Sequence, residues 1–249
     1  MKPFLFVLAC FMLVLQIQGC SSRAISQAEI DRLTQPEPDS VRQRAIRRIT
    51  LASAYFAQAY SLLGLIHQRN NAMDLAQQSF ETAIRLTARV STSGDEIGAV
   101  LHNYGWFLCQ QGKYSSAQYQ FAMAISQPGY RQLGQTWLVN GVCQVRSKQP
   151  VQARNSFEKA LGFAPNDPTA RLELALLDWQ DGNPPQARRM LGDINSGAQA
   201  TPASLWLGVL LARALKLDTE MNTLGERLAQ RFANSPQAAL WLGRKFDDK

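Results

Sequence analysis

Apolar residues follow two regimes along this chain. From Phe4 to Leu15 they run almost unbroken, interrupted only by Cys10. From about Val41 onward they recur three and four residues apart, with charged and amide side chains between them, which is the spacing of amphipathic helices. Between the two lies a polar stretch, Ser21 to Ser40. It includes Gln35-Pro36-Glu37-Pro38-Asp39-Ser40, a composition too poor in apolar side chains to fold alone. The pattern predicts an all-α body preceded by a leader over 1–19 and a polar tether over 20–40.

Inside the body the pattern repeats. Gly64, Ala76, Phe80 and Ala83 recur as Gly105, Ala117, Phe121 and Ala124, then as Gly141, Ala153, Phe157 and Ala160. A fourth set is looser: Ala175, Ala187, Leu191 and Ile194. In each set the later residues stand 12, 16 and 19 positions after the first, and the sets advance by 41, 36 and 34. Small residues at fixed offsets let two antiparallel helices approach closely, and a phenylalanine fills the joint they leave. Pro165 ends a second helix because it cannot continue the hydrogen-bond ladder. Gly112 and Gly182 fall where the paired helices must turn. The offsets and the 34-residue advance resemble the tetratricopeptide repeat, which implies a superhelical solenoid of antiparallel helix pairs.

The predicted units are 57–90, 98–131, 134–167 and 168–201, with a degenerate pair and carboxy-terminal cap over 202–249. Ser91-Thr92-Ser93-Gly94-Asp95 forms most of an insertion between the first two. Residues 41–56 look like the first helix of a further repeat that lacks its return helix. That segment either fuses with the next helix or packs as a cap.

The leader changes the picture of where the body resides. Met1-Lys2 gives a basic start, and Phe4 to Ile17 is too short to span a bilayer, which takes about 20 residues. The layout is that of a secretory signal peptide. Its ending, Ile17-Gln18-Gly19-Cys20, resembles a bacterial lipobox, which implies acylation of Cys20 and cleavage before it. Ser21 in the next position, by resemblance to sorted lipoproteins, implies the outer membrane with the body facing the periplasm. An ordinary signal peptide with a chance cysteine is the plainer alternative.

The whole chain has a formal charge of +7, and +6 without its first nineteen residues. A mild basic excess suits an acidic partner or an anionic surface. There is no Lys/Arg block and no nucleic-acid motif, so no nucleic-acid partner is expected. Enzyme chemistry finds little material. His67 and His102 are the only histidines, and Cys109 and Cys143 the only cysteines beyond residue 20. No catalytic set, metal site or cofactor is expected. Cys109 and Cys143 occupy different positions of adjacent repeats, twelfth and tenth, so two buried free thiols are expected.

First helices of such repeats line a groove, and this register assigns Arg69, His102, Asn103, Trp106, Gln110, Arg146, Trp179 and Arg213 to it. The tryptophans give an apolar floor, and the arginines recur near the ends of first helices. An amphipathic peptide with acidic groups would fit. The duller alternative is that the tryptophans fill joints between repeats and the arginines form a solvated edge.

The run Leu101-His102-Asn103-Tyr104-Gly105-Trp106-Phe107-Leu108-Cys109-Gln110-Gln111-Gly112 resembles the PilF/PilW family of type IV pilus biogenesis lipoproteins. Leu63-Gly64-Leu65-Ile66 before it and Ala153 to Ala160 after it fit the same family in order. The resemblance implies a pilotin, a non-enzymatic outer-membrane lipoprotein that helps a pilus secretin reach that membrane and assemble. The partner would be the secretin subunit, and membrane contact would come through the lipid alone. A periplasmic scaffold for another envelope assembly is the alternative. The shortened first repeat departs from the family, whose members carry one more complete unit there.

Overall fold

The computed structural model describes residues 39–89 and 93–246. The leader, Cys20 and most of the tether lie outside the described residues. The chain divides into two units, residues 1–48 and residues 49–249. Only the start of one helix is described in the first; the second holds the repeat array.

Among the described residues there are eleven helices and no strand. They are α1 (Asp39–Arg69), α2 (Met73–Arg89), α3 (Gly94–Gln110), α4 (Tyr114–Ile125), α5 (Leu133–Arg146), α6 (Pro150–Phe163), α7 (Pro168–Gln180), α8 (Pro184–Ser196), α9 (Pro202–Ala214), α10 (Asp218–Arg231) and α11 (Pro236–Leu242). Successive helices pair as α3/α4, α5/α6, α7/α8 and α9/α10, with α11 packed on the last pair, and α1 meets α2 where Gly64 faces the ring of Phe80.

One turn geometry joins every pair. Asn71, Gly112, Lys148, Gly182 and Lys216 all have positive φ, between 57° and 74°. The residue after each donates its backbone N–H to a carbonyl five residues back, at 2.8–2.9 Å. This bond satisfies a carbonyl that the ending helix leaves open. Glycine adopts the left-handed turn freely, whereas a lysine there costs roughly 1–2 kcal/mol. The turns at Lys148 and Lys216 are therefore held by packing against local preference, and residue type alone does not reveal them.

The small-aromatic offsets have a direct physical basis. A methyl group built on Gly64, Gly105 or Gly141 would meet the ring of Phe80, Phe121 or Phe157 at 2.8, 2.7 and 2.5 Å. Each ring is fully buried. The fourth pair solves the same joint with reversed volumes. Ala175 supplies the methyl group, Leu191 replaces the ring, and both are buried with Ile194.

The last residues of the expected insertion are the start of a helix. Ser93 is an N-cap, and Gly94 and Asp95 already belong to α3. Ser93 Oγ accepts from Glu96 N, while the Glu96 carboxylate accepts from Ser93 N, a reciprocal capping box. At the other end of the chain, α11 starts with Ser235 as N-cap and Pro236 in its first turn. Residues 39–69 form one uninterrupted helix of 31 residues, because nothing between Val41 and Arg69 breaks it.

Candidate partner-binding groove

The first helices α1, α3, α5, α7 and α9 present the residues assigned to a groove. Neighbouring first helices are cross-linked at regular intervals. Between α1 and α3, Asn103 Nδ2 donates to Ser61 Oγ at 3.1 Å, and seven residues further Gln68 Nε2 donates to Gln110 Oε1. Both pairs are 42 residues apart. Between α3 and α5 the links are His102–Thr136 and Cys109–Cys143, again seven residues apart on each helix and both separated by 34.

Cys109 and Cys143 form a disulfide with their Cα atoms 5.8 Å apart, which corrects the expectation of two free thiols. The expectation compared equal repeat positions, but equal positions do not face each other. Across this joint a residue meets the one 34 further on, two short of the 36-residue advance of the repeat. That displacement brings the twelfth position of one unit against the tenth of the next.

His102 also sits differently from its assignment. It is buried, with Nδ1 2.8 Å from Thr136 Oγ1. Tyr130 Oη lies 2.7 Å from the same hydroxyl, which is 3.1 Å from the carbonyl of Gln132. Thr136 has one proton, and the carbonyl can only accept it. Tyr130 and Nδ1–H are then the two donors, an arrangement that the neutral imidazole protonated on Nδ1 provides. Burial lowers the His102 pKa to about 4, in accord with that state. His102 thus serves the joint between repeats and offers no exposed contact. Thr136 and Tyr130 complete this network, and nothing in the repeat pattern singles them out.

The remaining assigned residues fall into three settings. Trp106 is half-buried against the core, and the exposed Arg146 guanidinium lies 5.2 Å from the centre of its ring. Glu173 on α7 is close enough for Arg146 to draw its pKa down, although burial dominates and raises it. Trp179 is half-buried on the core between the fourth and fifth pairs. Arg69 is exposed in the last turn of α1. Arg213 is exposed as well, with its guanidinium 4.7 Å from the ring of Phe246. The three arginines therefore share no common setting.

A cleft of about 760 Å³ opens elsewhere, between the second helices α8 and α10. Asn195 lines it, at the position where earlier repeats carry Ile84, Ile125 and Leu161. An amide thus stands where an aliphatic side chain would fill the joint. Its Nδ2 donates to the Ser204 carbonyl at 3.0 Å, while its buried Oδ1 has no partner.

One tetratricopeptide-repeat profile matches residues 55–127 and a second matches residues 144–207, together more than half of the chain. The chain belongs to the tetratricopeptide-repeat family. This tetratricopeptide chain is homologous to the type IV pilus assembly protein PilF of Pseudomonas aeruginosa. The two are 26% identical over 179 residues, covering 72% of this chain and 68% of the relative. The solved P. aeruginosa PilF structure matches it with a TM-score of 0.64 at 25% identity, over 76% of this chain and 82% of that one. The crystal structure of PilW, a widely conserved type IV pilus biogenesis factor, matches with a TM-score of 0.65. At 23% identity, over 82% of this chain and 94% of that one, it speaks for the fold. So does YrrB, a tetratricopeptide protein with an unusual peptide-binding site, with a TM-score of 0.54 at 14% identity, over 72% of this chain and 88% of that one.

Proposed function

We propose that this chain is a type IV pilus biogenesis protein that works as a pilotin. It is an outer-membrane lipoprotein, anchored through acylated Cys20, that binds the pilus secretin subunit and assists its localisation and multimerisation. The homology to PilF over 179 residues carries this reading. The Cys109–Cys143 disulfide supports export, because such bonds persist in an oxidising compartment and are rare in the cytosol. Tetratricopeptide repeats bind protein partners, and this role needs a surface rather than a reaction. The side chains proposed for secretin contact are Arg69, Asn103, Trp106, Gln110, Arg146, Trp179 and Arg213. Trp106 beneath Arg146 is the strongest pair, joining an aromatic face to a cation.

Deletion of the gene should reduce detergent-resistant secretin multimers in outer-membrane fractions and abolish pili. Unchanged multimers with normal pili would overturn the pilotin role. Incorporation of labelled fatty acid into the protein, lost in Cys20→Ala, tests the anchor separately.

A further inference from the structure

The amino-terminal end of the array carries a surface that its role in secretin binding does not explain. From Ile49 to Ile66, α1 contains no charged residue. One side of this stretch packs inward through Ala54, Ala57, Ser61 and Gly64, all buried. The other side is almost wholly apolar and open. Ile49 and Tyr55 are each 63% exposed, Phe56 is 60% and Leu62 is 59%, and Leu51 and Ile66 are exposed as well. Repeat arrays need a terminal unit with a polar outer face to stay soluble. Here the first helix among the described residues shows the reverse, which calls for a covering partner.

We propose that this face of α1 seats on a phospholipid bilayer surface. Three features favour lipid. The face combines long aliphatic residues with Tyr55, Phe56 and Tyr60, aromatic side chains of the kind that settle at a headgroup boundary. Arg42, Arg47 and Arg48 precede it in the same helix, and the body is basic overall, which suits anionic headgroups. The chain between Cys20 and Asp39 holds only Ile25, Ile30 and Leu33 as large apolar residues, fewer than the face exposes. It spans at most about 65 Å when extended, so a lipid on Cys20 keeps a membrane within reach.

By length and composition α1 could cross a membrane. Its inner side, however, is bound to the array through Gly64 against Phe80 and Ser61 against Asn103. The helix therefore lies along the surface and does not span it. The lipid would hold the protein to the membrane, and this contact would set which side of the array faces it. Proximity of the bilayer rests on the anchoring reading, so the test uses a chain without the lipid.

The chain from Ser21 onward, without leader or lipid and with its disulfide formed, is mixed with vesicles of phosphatidylethanolamine and phosphatidylglycerol and floated through a density gradient. It should float with the vesicles. The double variant Phe56→Ser/Leu62→Ser should partition at least about tenfold less, with an unchanged helical circular-dichroism spectrum. A parent chain that stays at the bottom would overturn the proposal, and so would variants that float equally well. Concentration-dependent dimers dissolved by the same substitutions, without flotation, would assign the face to a second copy instead. Loss of secretin binding in the variants, again without flotation, would assign it to that partner.

Discussion

The two ends of the repeat array are built on opposite principles. At the carboxy-terminal end, α11 closes the stack. Trp241 is 5% exposed and sits where a methyl group on Gly225 would come within 2.2 Å of its indole. Phe246 stacks on Trp206 with ring centres 6.0 Å apart, and the Arg213 guanidinium lies against the same Phe246 ring. Among the described residues the amino-terminal end has no counterpart: α1 shows solvent the apolar residues that a preceding pair would bury. A closed end is a matter of stability, whereas an open apolar end in a folded array calls for an outside partner.

Removing the closed end should produce the largest effect. Trp241→Ala is expected to cost about 3–5 kcal/mol in denaturant unfolding, with α9 and α10 exchanging their amide protons first. A loss below about 1 kcal/mol would mean that the cap does not close the array. Next comes the covalent link lying between the ends. Reduction, or Cys109→Ser with Cys143→Ser, should lower stability by about 2–4 kcal/mol, and mass spectrometry of the exported protein should find both thiols oxidised.

Acid probes the same joint through His102. Its folded pKa, about 4, lies below its ordinary value of 6.5, so the unfolded chain takes up the proton first. The stabilisation from its neutral state is complete above pH 6.5 and is lost as pH falls toward 4, amounting to about 3 kcal/mol. Glu173 works in the opposite sense, because burial raises its pKa and acid relieves it. The difference between the parent and His102→Gln across that window isolates the histidine, and equal slopes would refute the buried neutral state. The smallest effect belongs to the open end. Phe56→Ser should change thermal stability by no more than about 0.5 kcal/mol, since its ring packs on little within the array. A larger loss would show that the face is not open.

The array was legible wherever a packing joint demands one residue type. Gly64, Gly105 and Gly141 leave space for Phe80, Phe121 and Phe157, so their offsets betray the helix pairs before any coordinate is seen. The fourth pair remained readable because Ala175 and Leu191 exchange volume within the same joint. Features that depend on relations between units were not legible. Whether His102 and Cys109 face outward or into the next repeat is set by the two-residue displacement between α3 and α5, a property of how the helices cross. The turns at Lys148 and Lys216 were hidden for another reason: tertiary packing holds lysine in a conformation that its own preference disfavours. The long α1 was readable only as the absence of a breaker, which left fusion and capping equally open.

The disulfide also has a mechanical consequence. The path of a force applied along the chain passes from Cys109 to Cys143 across the sulfur atoms and bypasses the residues between them. A separation of 34 residues corresponds to roughly 110–120 Å of extended chain. In a pulling experiment that length would be missing from the unfolding trace under oxidising conditions and would return when a reductant is added. The turn joining α3 to α4, the whole of α4 and most of α5 would thus bear no load while the flanking pairs come apart.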